Sequence, residues 1–442
     1  MAAHYDPNLT MSTFRQRRFA RGPGPLLGGL GENPPLLPIL CSVVGAAAAS
    51  ALLRGVLRPD AAWIVPIAWV WGIAACAGTW RAGRPPILTA WSVAFCLRLL
   101  VVGVAPHLSD DGYRYLWEGL ALNHGINPFL TPPSAVTGLD DALRDRVNHP
   151  DLTSIYPPLA LWWFRAVAAS GHSLAWLQLA TAAVDATTAA LLARVAPRGF
   201  SWLYILHPLP VLESAAGAHL EAIAIALCAP ALLGGITAPA WVAAGAGAKL
   251  LPLAFWPAAL RGRSLREKAL LTAVAIGWCA LLAWPVWAAG PALLGSARIY
   301  AETWAFNGFL YPWLQPAIGD LARPLLALIG VGVVGLANVR SPDLRTAWLW
   351  VALAFLALSP TVHPWYGLWA LVPGIALGRR DVAFAAVALL GGYGVLSTCD
   401  PSTGAWEEPA WLWPLTWGPA LLALGAGRWL GPDPRDEAPT AA

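Results

Sequence analysis

The chain is divided into apolar runs of about 17 to 22 residues, each the length of helix needed to cross a hydrocarbon core of about 30 Å. Lipid offers no partner to a backbone N–H or C=O, so a crossing segment must satisfy these groups as helix or within a closed barrel. Barrel strands need only about ten residues, and runs this long therefore require helices. Composition agrees: 57% of the 442 residues are hydrophobic, 12% are charged, and mean hydropathy is +0.57. Too little polar surface remains to coat a soluble globule. The expectation is an all-α, polytopic transmembrane helical bundle of about 11–14 spans, with a long outer loop carrying amphipathic surface helices. It forms one domain over 36–430, including that outer loop at 106–156. Cytoplasmic tails at 1–35, expected to be disordered, and at 431–442 flank it. The first run, about Leu36 to Leu57, exceeds a signal-peptide core and follows a polar tail, so it reads as a retained helix.

Positive loops orient the spans. The tail with Arg15, Arg17, Arg18 and Arg21 falls on one side, together with the loops holding Arg81 and Arg84, Arg261 to Lys268, Arg340 and Arg345, and Arg379 and Arg380. This holds for spans near 36–57, 61–80, 86–105, 157–170, 174–193, 200–216, 218–236, 239–259, 269–289, 316–337, 344–360, 364–378, 381–397 and 410–427. Fourteen crossings place both termini inside. One turn dissents, since the same count puts Arg194 and Arg198 outside, and the proline-broken region between Pro157 and Gly217 leaves the number of crossings there open by two. The net charge of +4 is no sign of nucleic acid, because the arginines sit in short loops between apolar runs. The cysteines lie mostly within those runs, without metal-ligand spacing, and read as packing residues.

Three stretches reach the opposite, outer side: His107 to Tyr156, about Gly290 to Gln315, and Ser359 to Gly367. The first opens on Ser109-Asp-Asp-Gly. Ionised carboxylates are costly near hydrocarbon and are kept where water, a partner or chemistry needs them. Tyr113, Leu116, Trp117 and Leu120 follow at i, i+3, i+4 and i+7, with Arg114 and Glu118 elsewhere on the wheel, which predicts an amphipathic helix lying on the membrane surface. Gly125 and Pro128 end it. Capping that helix accounts for one acid of the pair Asp110 and Asp111. A partly desolvated carboxylate at this boundary also suits a general base acting on an acceptor hydroxyl.

His363, fixed between prolines beside Tyr366, suits stabilisation of a departing phosphate by hydrogen bonding or charge. Trp304 and Asn307, near Glu302, Tyr311 and Trp313, suit a sugar or equally an interfacial aromatic belt. Asp185, His207, Glu213, His219, Glu221 and Lys249 lie inside apolar runs, where polar groups are expensive. Lys249 with a glutamate reads as structural pairing, and contact with an anionic lipid head group is its functional alternative. No P-loop, dinucleotide fingerprint, His-Glu-x-x-His or nucleophile elbow is present. Nor is there an Asp-x-Asp, so no cofactor is expected and a divalent metal has no support from the sequence.

A polytopic chain with an early outer loop opening on an acid, followed by Gly112-Tyr-Arg-Tyr-Leu-Trp-Glu-Gly and His124-Gly-Ile-Asn-Pro-Phe, resembles the GT-C glycosyltransferases. It is most similar to bacterial enzymes that use polyprenyl-phosphate mannose. Ile155-Tyr-Pro-Pro-Leu, His207-Pro-Leu-Pro, Gly217-Ala-His-Leu-Glu, Lys249-Leu-Leu-Pro, Trp304-Ala-Phe-Asn and His363-Pro-Trp-Tyr continue the resemblance, which spans about Leu99 to Leu371. Three spans precede the acidic loop where many relatives have one.

The resemblance implies an inverting transfer of a sugar, mannose by preference, from a polyprenyl-phosphate donor to a glycolipid or polysaccharide acceptor. It implies a plasma (inner) membrane protein, multi-pass, acting on the periplasmic or extracellular side, with membrane lipid but no nucleic acid as partner. The base maps onto Asp110 or Asp111, with Asp110 preferred. His363, Tyr366, Lys249 and Tyr156 are expected at the donor phosphate and lipid. Trp304, Asn307, Arg114, Glu118, His219 and Glu221 are expected at sugar or acceptor. The alternative is a transporter or flippase for a lipid-linked saccharide, although no internal repeat supports it.

Overall fold

Proline and isolated polar residues cut the apolar runs into more pieces than hydropathy alone suggests. The computed structural model describes residues 33–55, 59–400 and 405–427, so the expected tails lie outside the described residues except for 33–35. Every regular element described is helical. Five helices are long and apolar enough to cross a membrane: Leu36–Gly55, Asp60–Gly78, Leu174–Val195, Tyr311–Arg340 and Arg380–Thr398. Two bent pairs raise the number to seven, Pro208–Ala216 with Glu221–Leu233 at 115° and Leu265–Leu282 with Trp284–Thr303 at 100°. Other predicted spans are shorter pieces such as Ile87–Leu99 and Leu344–Leu358. His207-Pro208 breaks the 200–216 run, because proline lacks the N–H that would continue the helix.

The arginine-rich loops gather on one face. Arg84 donates to the carbonyl of Ala196 at 2.7 Å, and Arg345 to those of Leu232 at 2.9 Å and Val195 at 3.4 Å. Arg263 donates to Ile236 O at 2.9 Å, and Arg261 reaches the carbonyls of Ser341 and Asn338. The Arg194 to Arg198 turn therefore shares the face of Arg84 and Arg345, which corrects its expected place opposite them. Two segments account for the error. Pro158–Ser170 does not lead away from the long loop, because His172, just past its end, bonds Asp140 of that loop at 3.1 Å. The 239–259 segment goes in and returns: Ala238–Ala248 stops at Lys249, whose backbone is extended and whose side chain meets Glu221, while both ends of the segment lie by Arg263 and Ile236.

The helix Asp111–Asn123 forms where the periodicity predicts it, but it does not lie on a surface. Arg114, Tyr115, Leu116, Trp117 and Glu118 are all buried. Gly119 lets the helix press on Pro158–Ser170, since a Cβ there would sit 2.2 Å from the Phe164 carbonyl oxygen. Tyr115 stacks on Phe164 at 4.6 Å, and Tyr156 packs edge-on against both. Deeper in the bundle, Arg98 pairs with Asp185 at 2.5 Å, and the other oxygen of Asp185 accepts from Tyr204 and Ser214. Charges this buried persist only when paired and hydrogen-bonded. None of the six cysteines is in a disulfide.

Candidate active site

Asp110 occupies the N-cap position of the Asp111–Asn123 helix, yet its side chain makes no capping bond. The acids are held from across the loop instead. Asn148 Nδ2 donates to Asp110 Oδ1 at 2.9 Å and to Asp111 Oδ1 at 2.8 Å, one amide serving both carboxylates. Arg114 sets that amide: its Nε donates to Asn148 Oδ1 at 3.1 Å, and its other nitrogens reach the carbonyls of Asn148, His149 at 2.6 Å and Leu152 at 3.2 Å. Glu118 backs Arg114 at 3.4 Å and accepts from Ser154 at 2.7 Å. Arg114 and Glu118, expected at the sugar or acceptor, are thus buried behind the acids and hold the loop. Asn148 is absent from the sequence-based site, since one asparagine in the polar stretch 140–151 looks like any loop residue.

A quarter of the Asp111 side chain stays accessible, whereas its neighbours close over the rest. Burial first, then the charge of Asp110, push its carboxyl up to about 6, against the pull of the Asn148 bond and of Lys249. A carboxylate poised near neutrality is the better proton acceptor at working pH. This moves the preference for base from Asp110 to Asp111.

Beyond Asp111 the chain folds tightly to deliver His219. Its Nδ1 lies 3.8 Å from Asp111 Oδ2 and its Nε2 3.4 Å from Glu213 Oε2. The ring stacks on Trp365 at 3.7 Å, and Trp365 stacks in turn on His363 at 4.3 Å, the two planes nearly parallel at 6°. Burial, then Lys249, hold His363 down to about 3, so at neutral pH it is uncharged. Lys249 pairs with Glu221 and lies over the Tyr366 ring at 5.0 Å. Tyr366 shares a hydroxyl hydrogen bond with Tyr300 at 3.0 Å. The expected pairing of Lys249 with a glutamate is what the structure contains, and the Lys249 side chain retains 28% exposure.

The aromatic side of the site comes from two loops. Trp304 stacks on Tyr300 and meets His149 edge-on at 4.8 Å. Burial and the Arg114 charge keep His149 below the usual histidine range. Asn307 is almost wholly buried, with a left-handed backbone (φ 49°) and its N–H on the Glu408 carboxylate at 3.0 and 3.1 Å. Its Nδ2 reaches Val362 O at 3.5 Å, tying it to the loop of His363. Tyr156 stands behind the site, with Tyr115 and Phe164. Sequence-predicted residues thus converge in one region: Asp110, Asp111, His219, Lys249, Glu221, Tyr366 and His363, with Trp304 and Asn307 at the flank. Glu213 and Tyr393, bonded at 2.7 Å, join them.

The chain has no match among protein-family models, curated proteins or solved structures. What it can do is therefore argued from this geometry. One carboxylate is tuned near neutrality, one partly exposed cation and several phenols stand close by, and aromatic rings form a wall. Among the described residues no three His, Cys, Asp or Glu side chains converge as metal ligands do.

Proposed function

We propose that the chain is an integral-membrane glycosyltransferase that moves a sugar, mannose first among candidates, from a polyprenyl-phosphate donor to a glycolipid or polysaccharide acceptor. The observation that carries this reading is Asp111, held by Asn148 and near enough to Lys249 to feel its charge. Displacement at an anomeric carbon needs a base for the acceptor hydroxyl and a counter-charge for the phosphate that departs. In this reading Asp111 takes the proton, and Lys249 with the Tyr366 hydroxyl meets the phosphate. Attack opposite the leaving group inverts the anomeric carbon.

A lipid donor is supported by an apolar cleft of about 340 Å³ lined by Phe309, Leu353, Leu389 and Trp417. It reaches Gly367, the residue after Tyr366, so a tail lying there leaves its head group beside the polar cluster. On this reading the protein is a multi-pass plasma-membrane enzyme of GT-C type, with the site on the periplasmic or extracellular side, opposite the arginine-rich face. The purified full chain, incubated with a panel of polyprenyl-phosphate sugars, is expected to release polyprenyl phosphate with at least one of them. Release unchanged in Asp111→Asn overturns the assignment, and movement of intact lipid-linked saccharide across vesicles without cleavage favours a flippase.

A further inference from the structure

Lys249 is a weak counter-charge for a phosphate if it acts alone. It is already paired with Glu221, and both Asp111 and Glu221 stand near enough to Tyr300 and Tyr366 to act on them electrostatically. A phosphate arriving there meets two carboxylates of its own sign. Hydroxyl donors attract it without adding a charge that must itself be balanced. Tyr366 has one hydrogen to give, and its direction is open, because its hydroxyl lies 3.0 Å from that of Tyr300 and either can be the donor. If Tyr366 gives that hydrogen to Tyr300, none is left for a ligand. Both rings are held, so only the hydroxyl hydrogens choose. Tyr366 sits in the turn Pro364–Gly367, its ring 5.1 Å from that of Phe355 and edge-on to His363 at 5.5 Å. Tyr300, in the helix Gly295–Thr303, stacks on Trp304 at 5.4 Å, and Ser296 ties that helix to Thr153 of the long loop at 2.7 Å. Just beyond Trp304 the backbone pairs with the loop before His363: Phe306 N–H donates to Pro360 O at 3.1 Å, and Val362 N–H to Phe306 O at 2.7 Å. That pairing brings Thr361, almost wholly buried, within hydrogen-bonding reach of the Tyr300 hydroxyl.

We propose that Thr361, Tyr300 and Tyr366 form a chain of hydroxyls that a prenyl phosphate sets in one direction, with Tyr300 as the positioning residue. Thr361 donates to Tyr300, Tyr300 donates to Tyr366, and the Tyr366 hydrogen is kept for a phosphate oxygen. The inference deepens the glycosyl-transfer reading and rests on it, because that reading sets the phosphate at Tyr366. No proton leaves its oxygen, and no member of the chain is ionised. Each bond polarises the next, so the last hydrogen is a stronger donor than that of a lone phenol. A charged acceptor draws more from such a donor than a neutral alcohol does, so the chain selects for phosphate over the bare prenyl alcohol. Tyr300 also joins two parts of the site, since one end of its ring reaches the phosphate cluster while its face lies on Trp304 of the aromatic wall.

The test needs no turnover. The full chain in nanodiscs is titrated with farnesyl phosphate and with farnesol, empty nanodiscs giving the partition blank, and the ratio of the two affinities is read. Wild type is expected to prefer the phosphate at least about tenfold, and Tyr366→Phe to lose most of that preference. Tyr300→Phe keeps the ring on Trp304 and leaves Tyr366 intact, yet is expected to lower the ratio about five- to tenfold; a merely structural Tyr300 would weaken both probes alike or neither. Because the two phenols act in series, the double variant is expected to fall within about twofold of Tyr366→Phe. A wild-type ratio in Tyr300→Phe, or losses that add in the double variant, overturns the chain while leaving Tyr366 at the phosphate. Should Tyr300→Phe fail to fold, Thr361→Val removes the first hydroxyl instead; a ratio lowered about two- to threefold supports the chain, and an unchanged one overturns it. A wild-type chain that does not tell the two probes apart overturns the phosphate site and the inference with it. Full selectivity for the phosphate with no cleavage of any donor sugar overturns glycosyl transfer and leaves the hydroxyl chain standing.

Discussion

Arg114 donates from Nε to Oδ1 of Asn148 at 3.1 Å, and that bond decides which way the Asn148 amide faces. With its oxygen engaged, only the nitrogen is left for Asp110 and Asp111. A solvent-facing arginine of an amphipathic helix becomes, once buried, the residue that orients the acid clamp. Arg114→Lys removes the fork that grips the loop and Asn148→Ala removes the donor, so both are expected to loosen Asp111. Losing a hydrogen bond to the charged form raises a carboxyl further. The acidic limb of kcat/KM should therefore move to higher pH in both variants, with transfer at neutral pH down about tenfold. Profiles that overlay the wild type would show that the clamp does not tune the base.

The two aspartates are expected to separate. Asp111→Asn should lower transfer by about 10²- to 10⁴-fold, the range for loss of a general base. Asp110→Asn should retain activity and shift the acidic limb to lower pH, because it removes the charge that helps hold Asp111 near 6. Stability runs the other way. A carboxyl raised in the fold stabilises it when protonated, below its ordinary range, and that contribution is lost as pH rises through about 6. At neutral pH ionised Asp111 is a burden, so Asp111→Asn should gain on the order of 1–2 kcal/mol and unfold at a higher temperature. Equal inactivation by both substitutions, or a less stable Asp111→Asn, contradicts this division.

The helix Asp111–Asn123 is legible from the spacing of Tyr113, Leu116, Trp117 and Leu120, and so is its stop at Gly125. Its burial is not, because periodicity marks an apolar face and cannot show that Arg114 and Glu118 will satisfy each other and a loop. The pairing of Lys249 follows from the cost of a bare charge, but the choice of Glu221 over Glu213 depends on a 115° bend that hydropathy does not register. The arginine-rich face is legible, apart from Arg194 and Arg198. A crossing count treats every apolar run as a passage, whereas Pro158–Ser170 and the 239–259 segment return to the side they left. Glu213 stands out as a charge in an apolar run; its approach to His219 is set by the backbone at Gly217 and Ala218, a matter of sterics rather than composition.

Lys249 and Glu221 offer a separation of stability from function. Removing one member of a buried pair strands the other, so Lys249→Met leaves the Glu221 carboxylate uncompensated and should cost about 3 kcal/mol. The double variant Lys249→Met, Glu221→Gln removes both charges and should recover most of that loss. If Lys249 meets the donor phosphate, the double variant will still show a KM for donor at least tenfold higher. Thermal midpoints and donor titrations on the four chains of the cycle decide the matter, and a double variant with wild-type KM leaves Lys249 a structural role only.

Gly119 tests whether the acid pair depends on how its helix is seated. A Cβ at 119 would lie 2.2 Å from Phe164 O and 2.4 Å from Phe164 C, backbone atoms that cannot swing aside, so the helices must part. Phe164 also carries the Tyr115 ring, and Tyr115 follows Arg114 in the same turn. Gly119→Ala is therefore expected to cost at least about 1–3 kcal/mol by overpacking and to disturb the Arg114–Asn148 clamp, lowering transfer beyond the loss of folded protein. Gly125→Ala is the control. Gly125 follows the same helix with φ 75° and has nothing within 4 Å of a new Cβ, so its substitution carries only the strain of a left-handed alanine, about 1 kcal/mol. Circular-dichroism melts and transfer per folded molecule should rank Gly119→Ala well below Gly125→Ala, and the reverse order would mean that the contact between these helices does not set the site.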